Sequence, residues 1–235
     1  MFPFDRQIQI GPQSFDPKVV IEVVGPLLTG ERIQKIEKVL EGRTFSNPIV
    51  LENIYDRGNA SAVMRSAEAL GFGRVHLIEL GEKFKESQRT TAGADKWVEL
   101  KKWKSTKACV GHLKDQGFKI AVTYLDSSSV PLSQVDFSKP TALVLGNEKD
   151  GVSEEMVAAA DYKIVIPMTG FVQSYNISVA AALGCYHMYL DRMSRRGSCG
   201  DLSEEQKNIL KAHYFLRTQA SAEDVLLEKR SRGEL

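Results

Sequence analysis

The sequence predicts an α/β domain, a largely parallel sheet with helices on both faces, over about residues 46–196 of its 235. Five short apolar runs stand at strand length: Ile49–Leu51, Val75–Ile78, Ile120–Val122, Ala142–Leu145 and Ile164–Ile166. Amphipathic stretches at about 59–70, 105–116 and 153–159 lie between them, and strands alternating with helices are the pattern of a parallel sheet. Each stretch opens on an Asn or Ser able to cap a helix N-terminus, and Gly71 and Gly117 stand where two of them end.

In chain order, residues 1–45 read as a helical N-terminal extension. Asp16-Pro17 is a helix-start signal, Pro26 interrupts, and Ile33, Ile36, Val39 and Leu40 recur at helical spacing before Gly42. In the domain itself, Asn59 is placed to cap the first helix. That helix turns Val63, Ala67 and Leu70 to the sheet and Ser61, Arg65 and Glu68 outward, where an Arg65–Glu68 ion pair is the plainest use of the two charges. After Asn176 a long small-residue helix runs through Ala180-Ala181-Ala182 to Arg192. Gly197-Ser198-Cys199-Gly200 forms the hinge to a helical tail, residues 197–235, with helices at about 203–216 and 222–230.

With 31 Lys and Arg against 30 Asp and Glu, the formal charge is +1, so an RNA partner has to be held by a local basic patch. Cys109, Cys185 and Cys199 are far apart without a CxxC pair, and the four histidines add no ligand spacing; no metal site is expected. The odd cysteine count and a start that lacks a basic n-region and an apolar h-region point to an intracellular protein, cytoplasmic or, if a transit peptide has been removed, organellar. No stretch approaches the roughly 20 apolar residues of a spanning helix, so no membrane partner is expected.

Ligands of open α/β sheets bind beyond the carboxyl ends of the strands. Neither GxGxxG nor GxxxxGK[ST] follows any of the apolar runs, which argues against a dinucleotide fold of the common kind and against a P-loop. Three strand-end segments carry the chemistry instead. Asn53–Arg65 holds an amide and a guanidinium on a helix, and Leu145–Ser153 is a glycine-bounded turn bearing Asn147 and Glu148. Ile164–Asn176 passes Pro167 and Gly170 and gathers its polar groups at Gln173, Ser174 and Asn176.

Together these segments resemble the three motifs of the SpoU/TrmH-type RNA ribose 2'-O-methyltransferases of the SPOUT superfamily. Motif one is matched by Asn59, Ser61, Arg65 and Gly71, motif two by Gly146, Glu148 and Gly151, and motif three by Ile166-Pro167-Met168, Gly170, Val172, Ser174, Asn176, Ser178 and Val179-Ala180. The likeness spans about Ile49 to Arg192. Thr91-Ala92-Gly93-Ala94-Asp95-Lys96-Trp97-Val98 and Met168–Ser174 resemble the branch that methylates a guanosine of the tRNA D-loop. Tyr175 departs from the family's usual Leu, and Gly58 stands where that branch has a basic or His residue.

The resemblance implies a deep C-terminal trefoil knot, a rare exception to the rule that chains do not thread their own loops. It implies S-adenosylmethionine as cofactor, contacted at Thr123, Gly146, Ile166 and Tyr175, and a homodimer formed through Ala180, Ala181, Ala182 and Gly184. Arg65 is then the residue that activates the ribose hydroxyl, with Asn59, Glu148, Ser174 and Asn176 positioning Arg65, substrate and cofactor. Phosphates of the RNA would meet Arg57, Lys149, Arg192, Arg195 and Arg196. Two other functions remain open at this level: ribosomal RNA ribose methylation, and a non-catalytic knotted RNA-binding protein.

Overall fold

The computed structural model describes residues 2–79 and 93–235, which form two compact units: residues 44–199, and residues 2–43 together with 200–235. In the latter, the chain begins with a hairpin rather than a helix. Strand β1 (Ile8–Ile10) pairs antiparallel with β2 (Gln13–Phe15) across Gly11 at φ 57°. Its alternation buries Ile8, Ile10 and Phe15, a period-two signal too short to be separated from the helical pattern behind it. Helix α1 (Pro17–Val24) is capped by Asp16, whose Oδ1 accepts from Lys18 N at 2.8 Å, and α2 (Gly30–Glu41) by Thr29.

The unit formed by residues 44–199 contains β3 (Ile49–Glu52), α3 (Arg57–Ala69), β4 (Arg74–Ile78), β5 (Glu99–Trp103) and α4 (Thr106–Asp115). These are followed by β6 (Lys119–Thr123), β7 (Val130–Pro131), β8 (Thr141–Leu145), α5 (Glu154–Ala159), β9 (Tyr162–Val165) and α6 (Ile177–Arg196). The strands make one sheet in the order β5-β4-β3-β8-β6-β9-β7, with every pairing parallel. All five apolar runs are strands of it. The two strands without such a run are the edges: β5, with the sequence ELKKW, is half-buried, and β7 has two residues.

Core residues line both faces of the sheet. On one, Ile49, Leu51, Val75, Leu77 and Leu143 pack with Ala60, Val63 and Ala67 of α3 and Ala181, Cys185 and Met188 of α6. On the other, Val50, Ile120, Val122 and Val144 pack with Cys109 and Leu113 of α4 and Met156 of α5. Gly184 seats α6 against β8, since a Cβ there would lie 2.6 Å from Leu143 Cδ2. Because β3, β8, β6 and β9 are neighbours and parallel, the loops leaving them emerge at one end of the sheet.

Local readings need correction at α3. It starts at Arg57, two residues early, because Asp56 is the cap, its Oδ1 accepting from Gly58 N at 2.7 Å. Asn59 therefore sits inside the first turn. Ser61 is fully buried rather than outward, and although Arg65 is exposed, no ion pair joins it to Glu68.

In the other unit, α7 (Glu204–Thr218) opens with a Ser203/Gln206 capping box, and α8 (Ala222–Ser231) follows. Lys207 meets Glu41 at 2.7 Å and Lys211 meets Glu37 at 2.6 Å, which ties α7 to α2. Among the described residues no helix is long and apolar enough to cross a membrane.

Candidate active site

A cleft of about 410 Å³ opens at the carboxyl ends of β6, β8 and β9, within the range of ~300–1,000 Å³ usual for small-molecule sites. Thr123, Gly146, Glu148, Ile166, Ser174, Tyr175 and Asn176 all line it, so seven of the expected site residues come together here. Its walls are mixed: Leu145, Ile164, Ile166, Ile177 and Ala180 are apolar, whereas Asn147, Gln173 and Ser174 bring polar groups. Such a lining suits a flat heterocycle with a polar tail.

The turn after β8 is shaped by its own backbone. Asn147 N donates to Gly151 O at 2.9 Å and Gly151 N to Asn147 O at 3.2 Å, while Asn147 Oδ1 accepts from Lys149 N and Asp150 N at 2.8 and 2.6 Å. Gly146 is required by this turn: a Cβ would fall 2.0 Å from Gly151 C. Its first role is thus to let the loop close on itself, besides the cofactor contact that the resemblance implies for it. Gly151, at φ 71°, supplies the left-handed residue that closes the turn.

At the cleft's edge the three segments meet through side chains. Asn59 Nδ2 donates to Glu148 Oε1 at 2.6 Å, and Asn59 Oδ1 accepts from Asn176 Nδ2 at 3.3 Å. Asn176 is the cap of α6, its Oδ1 accepting from Ser178 N at 2.9 Å and Ser178 Oγ at 2.6 Å. Both ends of the Asn59 amide are occupied, so it joins the helix after β3, the turn after β8 and the start of α6. Tyr175 Oη donates to Pro167 O at 3.2 Å across its loop, and Thr123 Oγ1 donates to Val144 O at 3.1 Å.

Arg65 stands apart from the cleft lining, six residues beyond Asn59 and therefore roughly 9 Å further along the helix axis. It is exposed and has no hydrogen-bond or ion-pair partner among the described residues, which leaves its five donors for a ligand.

The basic residues divide. Arg57, Lys149 and Arg196 are exposed, and Arg195 is exposed but salt-bridged to Asp191 at 2.8 Å. Arg192 is not an RNA contact. It is fully buried, with Nε donating to Cys199 O at 2.7 Å and Nη1 to Asn47 Oδ1 and Phe137 O at 2.6 and 3.1 Å. A guanidinium so desolvated and satisfied is a structural brace. Of the residues expected to form a dimer face, Ala181 and Gly184 are buried against the chain's own sheet and are not available to a partner.

Sequence reasoning missed two residues. Tyr55 is exposed, and its Oη meets Asp150 Oδ2 at 3.4 Å, a second link between the loops after β3 and β8. Glu52, a lone acid closing the apolar run of β3, is buried at 1% exposure and accepts three hydrogen bonds. Thr91 and Ala92 lie outside the described residues; the rest of that segment forms a short 3-10 turn at Ala94–Lys96 with Ala94 buried.

Residues 46–186 match the model of the SpoU rRNA Methylase family. The tRNA (guanosine(18)-2'-O)-methyltransferase of Borreliella burgdorferi is 37% identical over 195 residues, 83% of this chain and 89% of that one. Among solved structures, an A. aeolicus TrmH/SpoU tRNA-modifying enzyme superposes with a TM-score of 0.71 at 36% identity, covering 78% of this chain and 95% of that one. An AdoMet-bound rRNA methyltransferase from Sinorhizobium meliloti superposes with a TM-score of 0.57 at 26% identity, covering 66% and 57%.

Proposed function

The chain belongs to the SpoU methylase family, and from that premise we propose that it transfers a methyl group from S-adenosylmethionine to the ribose 2'-oxygen of a tRNA guanosine, the one at position 18 named for its relatives. The observation that carries the reading is the junction of Asn59, Glu148 and Asn176 at the mouth of a ligand-sized cleft. A tRNA substrate sets the enzyme at work in the cytoplasm or in an organelle with its own tRNA.

When bound, S-adenosylmethionine supplies a methyl group on a sulfonium, an electrophile that needs no metal. The cleft fits it: the apolar side chains of Leu145, Ile164 and Ile166 suit the adenine, and Thr123, Gly146, Ile166 and Tyr175 present the backbone to which it would be held. We infer the trefoil knot as well, since the segments that line the cleft, 145–151 and 164–177, are those the family threads.

Arg65 holds the ribose and its flanking phosphate. A guanidinium stays protonated at every working pH and is no general base, so it acts by stabilising negative charge on the 2'-oxygen as its proton leaves for another acceptor. Asn59, Glu148, Ser174 and Asn176 fix the geometry of the mouth in which that oxygen is presented. Arg57, Lys149, Arg195 and Arg196 hold phosphates.

The protein works as a homodimer. On α6 the residues Val179, Leu183, Tyr186, Leu190 and Met193 recur every three or four positions and are 38–53% exposed, a stripe of the kind that packs helix on helix. It replaces the small-residue face as the contact surface.

The test is methyl transfer from radiolabelled S-adenosylmethionine to total tRNA and, separately, to ribosomal RNA. Label should enter tRNA and resist alkali as a 2'-O-methyl linkage; label confined to ribosomal RNA would refute the substrate, and label on a base would refute the reaction.

A further inference from the structure

Glu52 is the last residue of β3, and its carboxylate is withdrawn from water. Oε1 accepts from Thr106 Oγ1 at 2.5 Å and from Ser153 Oγ at 2.8 Å, and Oε2 accepts from Ser153 N at 2.8 Å. Thr106 opens α4, and Ser153 caps α5, its Oγ also accepting from Met156 N at 3.2 Å. The carboxylate therefore lies at the starts of two helices, where their dipoles favour negative charge. Three hydrogen bonds on a buried carboxylate are strong because the acceptor is charged.

The position of these partners in the chain gives the arrangement its meaning. Immediately after Glu52, Asn53 takes φ 53° while its N–H still donates to Ile78 O at 2.8 Å; asparagine is among the few residues that tolerate this conformation. The chain there leaves the sheet toward Tyr55, Asp56 and Asn59. Ser153 is where the turn that carries Glu148 returns to regular structure. Glu52 thus fastens the root of one loop to the far end of the other. Beyond these loops' buried ends, Asn59 in the first turn of α3 and Glu148 in the turn after β8 meet at 2.6 Å near solvent, where water competes for both groups, so their register has to be imposed from the buried end.

We propose that Glu52 is a positioning residue for the methyl transfer, which holds the Asn59–Glu148 contact in place through Ser153 and Thr106. This rests on the reading of the site as a methyltransferase. Glu52→Gln keeps the volume but removes the charge, and its Nε2 can take the place of Oε1 only if the Thr106 and Ser153 hydroxyls turn from donors to acceptors, which weakens the junction.

The experiment is a double-mutant cycle on the full-length protein with an unmodified tRNA transcript, reading the single-turnover rate, the Kd for S-adenosylhomocysteine by calorimetry and the Asn59 side-chain amide resonance by NMR. Glu52→Gln and Glu148→Gln should each slow transfer by about 30-fold or more, and together by no more than threefold beyond the slower single variant. Glu52→Gln should also shift the Asn59 amide signal. Ser153→Ala, which removes one donor and leaves its backbone N–H, should reproduce the same non-additivity and serves in the cycle if Glu52→Gln does not fold. Multiplying rate losses, or a Glu52→Gln enzyme with the normal rate and an unshifted Asn59 signal, would overturn the proposal. A wild-type protein that methylates no RNA would overturn the proposed function itself, a different result from an active wild type whose variants behave independently.

Discussion

Asn59 and Glu148, 89 residues apart in sequence, meet at 2.6 Å through an amide nitrogen and a carboxylate oxygen. The contact exists because β3 and β8 are adjacent parallel strands with Leu51 opposite Leu145, so that the loops after them start side by side. Replacing Asn59 by Ala removes the donor to Glu148 and the acceptor for Asn176 together. We expect transfer to slow by about 100-fold, equivalent to about 2.7 kcal/mol of barrier, with secondary structure by circular dichroism unchanged. A normal single-turnover rate would make the junction an incidental surface contact.

Arg65→Ala should keep the affinity for S-adenosylhomocysteine and lose ribose methylation by several orders of magnitude, because Arg65 stands outside the cleft lining. Arg65→Lys should restore little, since a single ammonium cannot reproduce a planar fork of donors. Calorimetry and single-turnover transfer measured on the same preparations decide it. An Arg65→Ala enzyme with weakened cofactor binding and proportionate loss of rate would move Arg65 into the cofactor site.

Gly146→Ala tests the turn after β8. The added Cβ would meet the backbone of Gly151 and Val152 within 2.3 Å, which forces the turn to open. S-adenosylhomocysteine should bind at least tenfold more weakly, while the thermal midpoint of the sheet falls by only a few degrees. An unchanged Kd would show that the turn does not shape the cofactor cleft.

The face of α6 that carries Leu183 and Tyr186 should govern assembly. Sedimentation of the wild type should report twice the 26.1 kDa chain mass, and Tyr186→Asp should yield monomers by placing a charge in an apolar contact. A wild-type monomer at all concentrations would exclude this surface as an interface.

Under the opposite face of the sheet, His76 is kept neutral. Burial, followed by the charges of Arg74, His112 and Lys101, lowers its pKa to about 3, and its Nδ1 accepts from Trp103 Nε1 at 2.8 Å. The unfolded chain takes up this proton as pH falls below about 6.5 and the native protein does not, so His76 costs no stability above that pH and progressively more as the pH drops toward 3. One such proton gives a slope of about 1.4 kcal/mol per pH unit. Urea unfolding followed by tryptophan emission between pH 6 and 5 should show this slope reduced by up to one proton in His76→Gln. Equal slopes would mean that the native protein protonates His76.

The sheet was legible because its inner strands are continuous apolar runs, and the loops because amide, acid and glycine stand together at strand ends. Other features depend on tertiary context that spacing does not carry. Asp56 outcompeted Asn59 as the helix cap because its carboxylate reaches Gly58 N, which frees the Asn59 amide to span two loops. Arg192 lies in a run with Arg195 and Arg196 that looks like a basic patch, yet its side chain turns inward to Asn47, 145 residues away. Ala181 and Gly184 are small in order to fit α6 onto its own sheet, a need indistinguishable in sequence from close packing against a second chain. Glu52 interrupts an apolar run at its last position; only its three donors, contributed by α4 and α5, explain it.

The central claim is that the accepting atom is a ribose 2'-oxygen of a tRNA guanosine. Two transcripts of the same tRNA, identical except that one carries 2'-deoxyguanosine at position 18, are incubated with the wild-type protein and labelled S-adenosylmethionine. The all-ribose tRNA should be methylated and the deoxy-substituted one should not, although both compete equally for binding. Equal transfer to both would contradict the claim, because the methyl group would then be going to some other atom.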